Sequence, residues 1–210
     1  MTATREVHEA DAIAWLQQAD LVADAAIVTS LPNVDEFQHG NFDRWRTWFV
    51  DAAKLVMEKT PSDSAAVFFQ TDIKRDGVWI DKSFLLQLAA EQTDCELIWH
   101  KCVLRAPLGT TTNARPGYAH LLCFAPKLRS HDGNATPDVL PQLGTMAWPR
   151  AMGMDVATFA ITWLRDHANA KTIVAPFCGT GTALAVANQL GLHAVGIERS
   201  KSRAAKARLL

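Results

Sequence analysis

The stretch Ile173-Val174-Ala175-Pro176-Phe177-Cys178-Gly179-Thr180-Gly181-Thr182 decides how this chain is read. An apolar run suited to a buried strand, Thr172–Phe177, feeds a turn containing two glycines, and a helical pattern opens at Thr182 and runs to Leu190. Gly179 and Gly181 carry no Cβ, so a ligand can come close to the backbone. The helix start behind them favours a carboxylate through its free N–H groups and its positive end. A second strand, Ala194–Glu198, ends in a carboxylate seventeen residues after Gly181. A carboxylate at such a strand end can accept hydrogen bonds from both hydroxyls of a ribose. The pattern therefore predicts a site for an adenosyl ligand. A dinucleotide fingerprint needs Gly or Ala where Leu184 stands, and a P-loop needs G-K-S/T, which does not occur.

Outward from this stretch, strand patterns alternate with helical ones. The unbroken apolar runs Ala25–Thr29 and Ala65–Phe69 fit strands buried on both faces of a parallel sheet. Arg5–Val7 reads as a short extended piece before a helix over Asp11–Gln18. Residues 42–60 read as an amphipathic helix, with Trp45, Trp48, Phe49, Ala52, Leu55 and Val56 on one face and Pro61 as its stop. Ser83–Gln92 and Asp155–His167 are helical. Glu96–Leu104 and His120–Ala125 read as a hairpin-like strand pair, and Lys201–Leu210 as a basic helix. The stretch 126–149 has little periodicity and is broken by Pro126, Pro137 and Pro141, which predicts a long loop. Seven strands are expected in a doubly wound α/β sheet, mostly parallel, with an antiparallel edge. Only twelve residues follow Glu198, so the other strands must come from the N-terminal part. The ligand-binding half comes last in the chain.

A chain of 210 residues with 49% hydrophobic and 20% charged residues suits one folded domain, 1–210. It divides into a first half (1–125), the loop 126–149 and a second half (150–210). No apolar run is long enough to cross a membrane, and the acidic N-terminal stretch does not read as a secretory signal, so the expected location is the cytoplasm. A net charge of −1 gives no overall electrostatic grip on nucleic acid. Cys95, Cys102, Cys123 and Cys178 form no CxxC pair and read as reduced thiols. His100 and His120 lie near Cys102 and Cys123 but inside apolar runs, and no metal is expected.

At this point the sequence resembles a circularly permuted S-adenosylmethionine-dependent methyltransferase, similar to the DNA adenine and cytosine amino-methyltransferases that carry their catalytic motif first. Their cofactor motif, D-P-F-x-G-S-G-T-T, corresponds to APFCGTGTA at 175–183, with Phe177, Gly179, Gly181 and Thr182 in matching places. Their catalytic motif, D/S-P-P-Y, corresponds to Ser30-Leu31-Pro32-Asn33. The resemblance implies a Rossmann-like seven-stranded class I fold. It implies S-adenosylmethionine as cofactor, held by Asp11 near the adenine, by Pro176, Phe177, Cys178, Gly179, Thr180, Gly181 and Thr182, and by Glu198 on the sugar. It also places an aromatic-flanked lysine of the strand pair, in ELIWHKCVLRAP, near the target base. The segment MAWPRAMGMDVATFAITWL would help hold the methionine end. Three positions depart from the pattern: Ala175 replaces an acidic residue, Leu31 replaces a proline and Asn33 replaces an aromatic.

Under this resemblance Ser30, Leu31, Pro32 and Asn33 form the catalytic corner. The Ser30 side chain and the Leu31 carbonyl would accept hydrogen bonds from an amino group and turn its lone pair towards the methyl group, with Asn33 adding an acceptor. Pro32 would stiffen the loop. The substrate expected first is a nucleic-acid base, with RNA preferred over DNA because the chain has no room for a separate sequence-reading module. Lys101, Arg105 and Arg115 would touch phosphates between Trp99 and Tyr118. Phe37, Phe42 or Trp45 could supply a stacking ring. Asp72, at the end of a central strand, would line the pocket or cap the strand. A small-molecule or protein acceptor is the alternative. Ala175 also leaves open a cofactor-binding protein that has lost turnover. A homodimer through exposed aromatics of the first half is compatible with the sequence.

Overall fold

The computed structural model describes residues 2–37, 41–113, 115–131, 135–148 and 151–210. Parts of the expected 126–149 loop, residues 132–134 and 149, lie outside the described residues. Ten strands and six helices occur among the described residues. In chain order they are β1 (Arg5–His8), α1 (Ala12–Gln18), β2 (Ala25–Thr29), α2 (Phe42–Glu58), β3 (Ala66–Gln70), β4 (Ile73–Arg75), β5 (Val78–Ile80) and α3 (Lys82–Ala90). These are followed by β6 (Glu96–Leu104), β7 (Tyr118–Ala125), β8 (Val139–Leu140), α4 (Met154–His167), β9 (Thr172–Pro176), α5 (Thr182–Gln189), β10 (His193–Ile197) and α6 (Lys201–Leu209).

Eight strands form one sheet in the order β1-β10-β9-β2-β3-β7-β6-β8, and β4 and β5 form a separate hairpin. The period-two alternation of each central strand sends side chains to two cores. Ala26 and Val28, Val67 and Phe69, Ile173 and Ala175 pack on one face with Val156, Ala160 and Leu164 of α4, Leu184 of α5 and Ala204 of α6. Ala25 and Ile27, Ala66 and Phe68, and Val174 pack on the other face with Leu16 of α1, Trp45 and Phe49 of α2 and Leu86 of α3. Covering both faces is what removes polar residues from these strands, and β2 and β3 are buried at every position.

The seven expected strands are all present, with two refinements. The antiparallel strand, β7, does not lie at the edge: it runs between β3 and β6 and opposes both. The outer strand on that side is β8, an eighth strand inside the expected loop, which pairs in parallel with β6 through Cys102↔Val139 and Val103↔Leu140.

Helix starts follow local capping chemistry. Asp11, Asn41 and Asp81 each accept a hydrogen bond from an N–H in the first turn of α1, α2 and α3. The strand order reverses between β9 and β2, where β9 turns to β10 on one side and β2 to β3 on the other. In an open α/β sheet a crevice forms at the carboxyl ends of the strands at this point. The Thr29 hydroxyl ties the two strand ends together, donating to the Pro176 carbonyl at 2.6 Å. Among the described residues no helix is long and apolar enough to cross a membrane.

Candidate active site

A cavity of about 220 Å³ opens at the reversal point. Its walls come from both halves of the chain: Ser30, Leu31, Pro32 and Asn33 after β2, and Pro176, Phe177, Cys178, Gly179 and Thr182 after β9. Asp11 and Glu198 also line it. Of the residues expected to hold a ligand, Thr180 and Gly181 do not line the cavity.

The turn after β9 is built from left-handed backbone. Phe177 has φ 59°, Gly179 57° and Gly181 93°. A non-glycine residue in this region carries strain, and such strain clusters at binding sites. The two glycines serve different ends. A Cβ on Gly179 would meet only Trp148 Nε1, at 3.7 Å, so this glycine leaves its surface open to the cavity. A Cβ on Gly181 would lie 2.9 Å from Ala207 Cα and 3.0 Å from its Cβ. Gly181 therefore lets α6 pack against the start of α5, and its role is helix contact rather than ligand approach.

Glu198 is buried at the end of β10. Its two oxygens accept from Gly179 N at 3.1 Å and Ser200 N at 2.8 Å. Each oxygen keeps a second lone pair, so the carboxylate is fixed in place yet able to accept more hydrogen bonds. The Thr182 hydroxyl at the first turn of α5 lines the same cavity, is buried and has no hydrogen-bond partner. Burial pushes the Cys178 thiol up to about 12, with Glu198 adding to the effect, so Cys178 stays a neutral wall.

The opposite wall is the corner after β2. Trp45 Nε1 donates to the Pro32 carbonyl at 3.0 Å, which fixes the corner against α2. Asn33 N donates to Glu36 Oε2 at 3.3 Å. Of the candidate stacking rings, Phe37 lines the cavity and Trp45 is fully buried. Trp48 also lines it, in an edge contact with Phe177 at 5.9 Å between ring centroids.

Lys82, at the start of α3, is the functional candidate that the sequence reading missed. It is 1% exposed and lines the cavity. Its ammonium donates to Asn33 Oδ1 and, at 3.3 Å, to Gln70 Oε1. The rings of Trp45 and Phe49 each lie 5.6 Å away. Burial lowers its pKa to about 7, against the opposing pull of Asp72, Glu36 and Asp35. Asn33 was expected to present an acceptor to the substrate. Asn33 lines the cavity, and its Oδ1 already accepts from Lys82, which leaves that oxygen one further lone pair.

Asp72 lines the cavity and accepts from three donors: Lys82 N at 2.9 Å, Trp79 Nε1 at 2.9 Å and His120 Nε2 at 2.9 Å. Burial works against its charge, but hydrogen bonds from His120, Lys82 and Trp79 outweigh burial and hold the carboxyl below its usual range. His120 in turn meets His100 at 2.9 Å. Asp72, Asp81 and His120 bring ligand atoms within 4.8 Å of one another. These atoms are already committed, since Asp72 and His120 bond to each other and Asp81 Oδ1 caps α3.

Of the three expected phosphate contacts, Arg105 and Arg115 line the cavity mouth and Lys101 does not. Lys101 is buried, donating to Thr136 O and Asp138 Oδ1 at 3.0 Å each. It fastens the segment before β8 to β6, and the aromatic-flanked lysine at the cavity is Lys82 instead. From the segment expected to hold the methionine end, Met146, Trp148 and Met152 line the cavity, as does Leu143 before it.

Strand order, the reversal-point cavity and a chain order that puts the Ser30–Asn33 corner before the glycine turn define a class I methyltransferase fold of the permuted type. Solved structures share it over nearly the whole chain. The PvuII DNA methyltransferase (cytosine-N4-specific) superposes with a TM-score of 0.79 at 16% identity, covering 100% of this chain and 88% of that one. TTHA0409 of Thermus thermophilus, which carries the name of a DNA modification methylase and is known in complex with S-adenosyl-L-methionine, gives a TM-score of 0.73 at 15% identity, with 97% and 91% covered. The M1.HpyAVI–SAM complex gives 0.67 at 14% identity, with 98% of each chain covered. At these identities the likeness establishes the fold. No protein-family model and no curated protein matches the sequence.

Proposed function

We propose that the protein is an S-adenosylmethionine-dependent methyltransferase that acts on an exocyclic amino group of a nucleic-acid base. The observation that carries this reading is that one cavity receives both the Ser30–Asn33 corner and the Phe177–Gly179 turn with Glu198. The chain then works as one unit, with 1–125 as the acceptor side, 150–210 as the donor side, and Leu143, Met146 and Trp148 of the 126–149 loop adding to the cavity wall.

The residues present fit the cofactor. The open surface of Gly179 and the anchored Glu198 carboxylate form a cradle with acceptors for a ribose. When bound, S-adenosylmethionine supplies a methyl group made electrophilic by its sulfonium. Glu198 would accept from the sugar hydroxyls, and Asp11, at the rim, would face the adenine. Ser30 and the Leu31 carbonyl would accept the two N–H bonds of an amino group and so aim its lone pair. Alignment of this kind supplies several kcal/mol of barrier reduction, about 7 at the lower end of well-oriented cases. Asn33 would donate to a ring nitrogen or carbonyl beside that amino group, and Phe37 and Trp48 offer apolar ring surface.

Nucleic acid is favoured over a small acceptor by the cations at the mouth. Arg105 and Arg115 line it, and Lys74 and Arg75 stand beside it on the β4–β5 hairpin, with Lys74 over the half-exposed Trp79 ring at 4.7 Å. The argument for RNA from small size does not discriminate, because this chain spans 88% of the PvuII DNA methyltransferase. DNA and RNA are therefore the two arms of the test. Purified protein is given S-adenosylmethionine labelled in the methyl group together with total DNA, total RNA or a metabolite extract. Label in DNA or RNA supports the reading, and label confined to metabolites overturns the nucleic-acid part. Titration calorimetry that detects no cofactor binding overturns the whole.

A further inference from the structure

We propose that Lys82 is the group that takes the proton released when the acceptor nitrogen is methylated. The inference rests on the methyl-transfer reading and deepens it. Methylation of an amino nitrogen leaves a proton to dispose of. The nitrogen lone pair forms the new N–C bond while the carbon–sulfur bond breaks and its electron pair stays on sulfur. The nitrogen is then cationic; one of its N–H bonds leaves the acceptor that oriented it and breaks with its pair returning to nitrogen, and the proton passes to a base. The carbonyl of Leu31 and the hydroxyl of Ser30 can orient the amino group but are poor bases at neutral pH.

Lys82 has the geometry for this task. Lys82 lines the cavity, and its Nζ donates to Asn33 Oδ1 of the catalytic corner. Two N–H bonds go to Asn33 and Gln70, both neutral amides. The third position on nitrogen carries a lone pair when the group is neutral and a proton when it is charged. Around it α2 contributes the rings of Trp45 and Phe49. The charges that act on it are Asp72 at the end of β3, Asp35 and Glu36 after the corner, and the opposing Arg115. Desolvation prevails over the three carboxylates and leaves the group near pH 7, where a general base works best. Asp72 is a poorer candidate, because three donors already stabilise its charged form.

The test compares wild type with Lys82→Met, Lys82→Gln and Lys82→Arg across pH 5.5–9.5. It follows labelled-methyl transfer to the nucleic-acid fraction that wild type labels, the cofactor Kd by calorimetry and the Lys82 side-chain signal by NMR. Wild-type kcat is expected to rise through pH 7 and level off. Each variant should lose about 10²-fold or more in kcat and show no rise near pH 7. Cofactor Kd should stay within about threefold, which also shows that the variants fold. Lys82→Arg is decisive, because it keeps a cation and hydrogen-bond donors but cannot deprotonate. An Arg variant as active as wild type, a Met variant that keeps the rise near pH 7, or a Lys82 signal that titrates near 10.5 overturns the proposal. If wild type labels no fraction, the methyl-transfer reading itself falls; labelling with an unaltered Met profile removes only the role of Lys82.

Discussion

Lys82→Met should change how the stability of the fold depends on pH. In the unfolded chain the ammonium titrates near the ordinary 10.5, whereas in the folded protein burial lowers it to about 7. Below about pH 7 both states are charged, and folding bears the whole cost of burying the ion. Between about 7 and 10.5 the unfolded chain holds the proton and the folded one does not, so stability climbs with pH at up to ~1.4 kcal/mol per unit. Above 10.5 both are neutral and the cost is gone. The full span corresponds to about 5 kcal/mol at 1.36 kcal/mol per unit. The Met variant cannot titrate at this position. It also leaves Asn33 Oδ1 and Gln70 Oε1 without their partner, a cost of roughly 1–3 kcal/mol each that is nearly independent of pH. The diagnostic quantity is thus the change with pH of the stability difference, not its size at one pH. Urea unfolding followed by circular dichroism at pH 7.5, 8.5 and 9.5 measures it. Wild type should gain about 2–3 kcal/mol on the variant across that interval. A difference that stays constant would mean that the folded ammonium keeps its ordinary affinity for protons, and the desolvation argument would be wrong.

Other substitutions separate the parts of the site. Ser30→Ala should lower kcat at least about tenfold with the cofactor Kd nearly unchanged, since the hydroxyl is assigned to the acceptor; equal loss of both would make the corner structural. Glu198→Gln should weaken cofactor binding about tenfold or more in calorimetry, because a neutral amide accepts less strongly. Unchanged affinity would remove Glu198 from the sugar. Gly179→Ala and Gly181→Ala form a pair. Both meet a positive φ, at roughly 1–2 kcal/mol, but only Gly181→Ala also drives a methyl into Ala207. In urea unfolding the Gly181 variant should be the less stable, whereas in calorimetry the Gly179 variant should lose more cofactor affinity. The reverse order would exchange the roles given to the two glycines.

Much of this arrangement was legible because central strands of a doubly wound sheet advertise themselves. AAIVT and AVFFQ have no polar face to interrupt them, and the one-sided apolar spacing of Trp45, Phe49, Ala52 and Val56 marks α2. The β4–β5 hairpin escaped the reading, although Asp76-Gly77, with φ of 51° and 76°, is a strong two-residue turn signal. β8 has two residues, too few for any periodicity. Lys82 was invisible for a deeper reason. A lysine at the start of a helix normally faces water, and only the approach of Trp45 and Phe49 from α2, more than thirty positions away, removes the water from this one. Lys101 misled in the opposite sense. Its basic neighbourhood suggested a phosphate contact, but Asp138, thirty-seven residues on, occupies it. Local pattern finds strands, caps and turns; which charges end up facing each other is decided by tertiary packing.

The pairing of β1 with β10 has a consequence for synthesis. Arg5↔Ala194 and His8↔Ile197 are partners 189 positions apart in sequence, and among the described residues β1 has no other neighbour in the sheet. During synthesis β1 waits for β10, and β2 likewise lacks β9 on one side until that later strand is made. The Ser30–Asn33 corner is translated before the Phe177–Gly179 turn that forms the facing wall of the cavity. A nascent chain stalled before residue 170 would therefore expose the apolar edge of β2, making it a natural client for chaperones.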